Sequence, residues 1–194
     1  VVALVCGSER CDSIEDGSQA VVVLDKTSFY AESGGQVGDS GVIVIGDSRF
    51  EVSKTTKDAD GVVLHHGVLC GEAIKIGDSA VTEYDETSRK AIMRNHTAAH
   101  LLQAALRQVL GTHVEQAGQF VNENVVRFDF THFSALTSEE IAKVEETVNN
   151  IILDGIPALA VFTDCRADRR RLTIRCITVI ILERYNKGFL FVYI

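Results

Sequence analysis

The chain has no apolar run approaching the ~18–20 residues that a membrane-spanning helix needs. A helical span is therefore not expected. Its first residues, VVALVCGSERCD, lack a basic lead-in and carry too short an apolar stretch for a secretory signal. There is no initiating Met, and the sequence opens as though mid-strand, so it reads as an internal piece. The five cysteines (Cys6, Cys11, Cys70, Cys165, Cys176) are odd in number and show no CxxC spacing. That usage fits reduced thiols and a cytoplasmic setting rather than a disulfide scaffold. No broad basic surface is encoded either: residues 1–85 carry a net charge of −9, residues 86–164 one of −4, and only residues 165–194 are basic, at +5. Non-specific nucleic-acid binding usually needs such a surface. Any nucleic acid handled here should be gripped at an end or a small feature. Internal repeats and low-complexity tracts are also missing.

What remains is ordinary globular composition, 46% hydrophobic and 24% charged over 194 residues. That length can bury one substantial core or two small ones. Residues 1–85 read as short strands punctuated by glycine, with Ala20–Leu24, Val42–Ile45, Arg49–Ser53, Val62–Leu64 and Ser79–Thr82 as strand candidates. Many short strands without helical period suggest a small β-barrel. After Asp85 the pattern changes. Thr87 or Ser88 can cap a helix running to about Leu110, where Gly111 offers a left-handed stop. Phe120–Val121 and Val125–Thr131 come next as strands, the second alternating cleanly between faces. Thr137-Ser138-Glu139-Glu140 spells a capping box that opens a helix ending near Gly155. Ala158–Phe162 reads as a further strand after Pro157. The expected class is α+β: the barrel over 1–85, then a two-layer helix–strand–strand–helix–strand domain over 86–164, with 165–194 as a divergent tail.

Two motifs carry chemistry. His96 and His100 lie four apart in a helical run, so both imidazoles leave one helix face about a turn apart. Thr97 follows the first histidine, so the glutamate base of a zinc-protease helix is missing. The pair reads as half of a metal site or as polar residues on a half-buried face. Further ligands would have to come from Cys165, Cys176, His113, His132, His65 or His66, none of which forms a second closely spaced pair. The second motif is DKTSFYAESGGQVGD, residues 25–39. Gly34 and Gly35 allow close backbone approach to a ligand, and Thr27 and Gln36 add hydrogen-bonding side chains. A tight turn between strands is the other reading. Gln116, in a loop leading back to a strand, has no special status from spacing alone.

Taken together, NHTAAHLLQAALRQVLGTHVEQAGQFVNENVVRFDFTHFSAL preceded by LDKTSFYAESGGQVGDSGVI closely resembles the editing region of the alanyl-tRNA synthetase family. The resemblance runs from about Val1 to Asp164. It implies hydrolysis of the ester of serine or glycine wrongly attached to the alanine-specific tRNA. It further implies that His96 and His100 bind zinc beside a cysteine and a histidine from a later Cys-Gly-Gly-Thr-His stretch. Gln116 becomes the catalytic candidate in the pocket, with Thr27, Gly34, Gly35 and Gln36 on the substrate side and Thr27 sensing the serine hydroxyl. The partner implied is the mischarged acceptor end of tRNA(Ala). ATP belongs to the ligase core, which nothing in these residues resembles.

Residues 165–194 match none of the family's continuation, and the Cys-Gly-Gly-Thr-His stretch does not occur in the chain. The abrupt turn to arginine-rich and then β-type sequence reads as a shifted reading frame or an aberrant junction. Two of four zinc ligands are then missing, and hydrolysis by this chain is expected to be weak or absent. The rival readings are a free-standing trans-editing deacylase and a metal-free remnant that binds a tRNA end without catalysis.

Overall fold

A computed structural model describes residues 1–155; the expected strand Ala158–Phe162 and the tail from 165 lie outside them. The described chain is a mixed α+β structure with mostly antiparallel pairing, and it divides into two compact units. The first takes Val1–His96 and Ala117–Asp129, the second Thr97–Gln116 and the described chain from Phe130.

The first unit is built on short strands. These are β1 (Ala3–Cys6), β2 (Glu9–Cys11), β3 (Ser13–Ile14), β4 (Gln19–Val23), β5 (Gly41–Ile45), β6 (Ser48–Lys57), β7 (Val63–Cys70), β8 (Ile74–Lys75) and β9 (Val81–Tyr84). Seven of them form one sheet in the order β2-β1-β4-β7-β6-β5-β9, and β3 pairs with β8 separately. The expected barrel is not observed: β2 and β9 stand at opposite edges and do not pair, so the sheet stays open. Short strands and frequent glycines allow closure without enforcing it. The five strand candidates all fall within observed strands or overlap them, although β6 and β7 are longer than their hydrophobic segments suggested.

The core of this unit gathers Leu4, Val22, Phe29, Ile43, Phe50, Leu69 and Ile74, each buried. Its polar chemistry depends on an irregularity in β6. Along that strand Ser48, Phe50 and Val52 point inward at a period of two, and the register with β7 then slips between Val52 and Lys54. Such a bulge inserts one residue and re-aims the side chains beyond it. Thr55 is thereby placed opposite His65, and both are fully buried.

Helix α1 spans Glu86–Leu110 and passes from the first unit into the second. Its cap is Asp85 rather than Thr87 or Ser88: the Asp85 carboxylate accepts the backbone N–H groups of Thr87 at 2.9 Å and Ser88 at 3.0 Å. A carboxylate also suits the positive end of the helix dipole. Gly111 stops the helix at φ 118°. β10 (Gln116–Val121) and β11 (Val126–Phe130) pair with each other, which makes Gln116 the first residue of a strand and not a loop residue. Helix α2 (Ser138–Leu153) opens with the expected reciprocal box: Glu140 N–H donates to Thr137 Oγ1, and the Glu140 carboxylate accepts from Thr137 N–H. Its buried residues are Val144 and Val148.

The segment between β4 and β5 has almost no regular structure and is held by side chains instead. Asp39, 4% exposed, accepts from Tyr30 N–H at 2.6 Å and from Arg89 Nε at 2.8 Å, with a second Arg89 nitrogen on its other oxygen. Arg89 also donates to the Ser28 carbonyl at 3.0 Å and lies over the Tyr84 ring at 4.1 Å. Thr55 Oγ1 donates to the Asp39 carbonyl at 2.8 Å. Replacing Asp39 by Ala leaves a partly buried guanidinium without its carboxylate and should cost about 1–3 kcal/mol. Urea unfolding checks this, with Asp39→Asn expected to lose less because one acceptor survives.

Candidate functional site

The glycine motif and the histidine helix meet in the first unit. Gly34 and Gly35 take φ values of 60° and 81°, and a backbone turn closes over them through Ser33 N–H to Gln36 O (3.1 Å) and Gln36 N–H to Ser33 O (3.0 Å). That turn docks along β10. Val121 N–H donates to Gly35 O at 2.8 Å, Val37 N–H donates to Val121 O at 3.0 Å, and the Gln119 amide donates to Gly34 O at 2.6 Å. A Cβ on Gly35 would run into the Gln119 carbonyl, so the close approach requires glycine as much as the positive φ does.

This docking turns Gln36 inward. It is 7% exposed, and its Oε1 lies 2.6 Å from Nδ1 of His96. An amide oxygen can only accept, so Nδ1 carries the proton. Half-burial also lowers the His96 pKa, because desolvation disfavours the charged ring. The neighbouring Asn95 is buried as well and donates from Nδ2 to the Asn122 carbonyl at 2.7 Å. Asn95 and Gln36 together fix this turn of α1 against the glycine loop and the residue that follows β10.

Thr27 sits in a second polar node. Its hydroxyl is 2.8 Å from His65 Nε2 and accepts from Phe29 N–H at 3.1 Å. His65 is completely buried, with Nδ1 2.9 Å from the Val22 carbonyl and the Phe29 ring edge-on at 5.3 Å. Burial is the main reason its pKa is lowered, with the adjacent His66 adding to the effect and the Val22 carbonyl opposing it.

The remaining candidates are more dispersed. His100 lies four residues after His96 in α1, within the second unit, and is half-buried. Gln116, also in the second unit, is exposed. His65 has both nitrogens committed, and His66 Nε2 bonds Thr56 Oγ1 at 2.8 Å. His113 and His132 bond each other at 2.9 Å and stack, with the exposed Phe133 against His113. Cys165 and Cys176 lie outside the described residues. Among the described residues no group of three or more His, Cys, Asp or Glu is arranged to hold a metal ion. A cavity of about 390 Å³ in the first unit borders Val37, Gly38, Lys54, Ile92 and Phe120, but Thr27, Gln36 and His96 do not line it. Asp39, Arg89 and Asn95 are residues to which sequence reasoning gave no role, and His65 was weighed there only as a metal ligand and not as a partner of Thr27. Only a polar residue inside an apolar strand, as with His65 in β7, could have flagged one of them.

Comparison with known proteins places these residues in context. Residues 1–88 match a family model described as class II (A) tRNA synthetases. The chain is 49% identical over 149 residues to an alanine–tRNA ligase of Dehalococcoides mccartyi, covering 77% of this chain and 17% of that protein. It is 45% identical over 171 residues to an alanine–tRNA ligase of Pseudomonas fluorescens, covering 88% and 20%. With the alanine–tRNA ligase of Paraburkholderia phytofirmans the identity is 48% over 159 residues, covering 82% and 18%. The chain thus spans about a fifth of the length of these relatives.

The lowered His65 pKa has a definite sign. The unfolded chain binds a proton near pH 6.5 that the folded chain refuses. Stability from this group is therefore whole above about pH 6.5 and is lost as the pH falls toward the lower folded value. Urea midpoints should drop between about pH 7.5 and about pH 5.5, where carboxylates stay ionised. In His65→Gln that slope should flatten.

Proposed function

Over most of its length this chain is homologous to one stretch of the alanine–tRNA ligases, which are enzymes by family, and we propose that it is a piece of an alanyl-tRNA synthetase carrying that enzyme's editing site. The reaction proposed is hydrolysis of the ester between serine or glycine and the acceptor end of tRNA(Ala). The observation that carries this reading is the 2.6 Å contact between Gln36 and His96. It joins the glycine motif to the histidine helix, two segments 60 residues apart that the resemblance assigns to one editing site.

The parts have natural roles in that reaction. Gly34 and Gly35 keep the loop backbone free of side chains, and both are exposed, so a ribose or an aminoacyl group can approach closely. Thr27 faces the amino acid. His96 serves the ester on the side of the glycine loop; for His100 and Gln116 it is the resemblance that implies a part in the same reaction, Gln116 as a hydrogen-bonding group for the attacking water or the carbonyl. Rejecting serine by size alone is inefficient, because one small group is worth only ~1–3 kcal/mol in a pocket. A hydrolytic site that recognises the hydroxyl corrects the error afterwards.

Zinc is the cofactor the resemblance implies. A structural or catalytic zinc takes three or four protein ligands, and the described residues offer His96 and His100 alone. The donor set does not fit a tight zinc, so no step is assigned to the metal. An imidazole whose Nδ1–H is held by an amide oxygen is nonetheless oriented as metal-binding histidines are.

Two measurements test the proposal. Purified chain should carry less than one tightly bound zinc per molecule; a tight one-to-one complex would instead indicate a complete, free-standing deacylase. Seryl-tRNA(Ala) should lose its ester slowly in the presence of the chain, and His96→Ala should abolish that residual rate. Ester loss that is indifferent to His96→Ala would defeat the editing reading, and binding without any hydrolysis would leave a tRNA-end-binding remnant.

A further inference from the structure

The node at Thr27 has a polarity that can be worked out atom by atom. The Val22 carbonyl can only accept, so the nitrogen facing it at 2.9 Å, His65 Nδ1, must carry a hydrogen. In the neutral imidazole Nε2 then holds the lone pair. The Thr27 hydroxyl, 2.8 Å from that lone pair, must donate to it. A hydroxyl has one hydrogen and two acceptor positions. The hydrogen is spent on His65, and one acceptor position receives Phe29 N–H at 3.1 Å. A single acceptor position is left.

We infer that His65 is a positioning residue for specificity, holding the Thr27 hydroxyl as a hydrogen-bond acceptor toward the bound amino acid. The inference rests on the editing reading for its ligand, an aminoacyl ester, but its polarity stands on the hydrogen bonds alone. For the serine ester the consequence is a preference by donor and not by size; the glycine ester, with no side-chain donor, gains nothing from it. A serine side chain can offer its O–H to Thr27. An amino acid of similar bulk that lacks a donor would set its own electrons against the oxygen of Thr27.

The arrangement is fixed from several sides. His65 is fully buried, and its ring cannot turn over without breaking the bond to Val22. The Phe29 ring stands edge-on to it at 85°. Val22 and His65 are register partners on adjacent strands, so the carbonyl that sets the tautomer belongs to the sheet itself. Thr27 is half-buried and so remains reachable from solvent. A buried histidine with an Nδ1–H bond to a backbone carbonyl is a common way to select one tautomer.

The test has two arms, both on the whole chain above the ordinary imidazole range. Nitrogen NMR with isotope-labelled histidine should find His65 protonated on Nδ1 and bare on Nε2, and Thr27→Val should shift the Nε2 resonance alone. Finding the proton on Nε2 overturns the inference. For the second arm the probes are non-hydrolysable amides of adenosine, one carrying serine and one carrying chloroalanine, which is close in size and has no side-chain donor. The serine amide should bind tighter by about tenfold or more, and Thr27→Val should erase the difference. Equal binding to the unmodified chain, or a preference for chloroalanine, also overturns the inference. If neither amide binds while His65 keeps its proton on Nδ1, the editing reading fails and the hydroxyl polarity stands.

Discussion

The carboxylate of Asp39 is the group on which the candidate site depends. Residues 24–40 contain no strand of their own and so cannot be placed by ladder hydrogen bonds. A buried anion does that work. It takes donors from Tyr30 and Arg89, and its own carbonyl takes the hydroxyl of Thr55, so a loop, a helix and a sheet strand converge on one residue. Burying a charge is costly unless it is paired and hydrogen-bonded. Here both oxygens are occupied, and the pair fixes geometry more than it adds net stability. With Asp39 held, the turn at residues 33–36 can lie along β10 and present Gln36 to α1. Thr27 depends on the same anchor at the other end of the loop, where Arg89 also grips the Ser28 carbonyl.

Both candidate nodes share a construction principle. In each, a polar side chain from the loop meets a histidine whose far or near nitrogen has its proton assigned by an oxygen that can only accept: the Val22 carbonyl for His65 and the Gln36 amide for His96. Tautomers are otherwise free to interchange, and a site built on an unassigned imidazole would present a mixture of donors and acceptors. The two histidines differ in their role. His65 is sealed inside the sheet and acts only through Thr27. His96 is half-buried on the helix, beside Asn95, whose bond to the Asn122 carbonyl prevents that turn of helix from rotating.

Much of this fold was legible in the sequence because it follows from local periodicity and capping. The strands β4, β5 and β11, the long helix to Leu110, the glycine stop and the Thr137 box each rest on signals within a few residues. The failures are non-local. Whether a sheet closes depends on pairing between its first and last strands, and no pattern within β2 or β9 encodes their separation. The cap at Asp85 was missed because Thr and Ser follow it and are equally good caps in isolation. The bulge at Ser53 is another non-local feature: the alternation along β6 reads cleanly through Val52 and gives no warning of the slip that turns Thr55 inward. The site residues were found through their resemblance to a family, since neither a double glycine nor a histidine pair is specific alone. Asp39 and Arg89 were invisible, and His65 was weighed only as a metal ligand, because their meaning lies in partners 16 to 50 residues away.

Selectivity by hydrogen-bond polarity answers a problem that shape cannot. Alanine, serine and glycine differ by a methyl or a hydroxyl, and a pocket large enough for serine admits the other two. Excluding alanine from such a pocket by packing would gain only the transfer free energy of a small group, ~1–3 kcal/mol. An oriented acceptor works differently. In the proposed editing reaction serine would fill the last open position of Thr27, whereas alanine would strip that oxygen of its water and give nothing back, at a cost of about 1–3 kcal/mol for a desolvated polar group. Under that proposal the penalty would fall on the alanyl ester, the one that must escape hydrolysis. For the penalty to be reliable the oxygen must have no other way to satisfy itself, such as rotating its hydrogen outward. A buried, tautomer-fixed histidine prevents that rotation, which under the proposed role would give a polar ring a reason to occupy an inward position on β7.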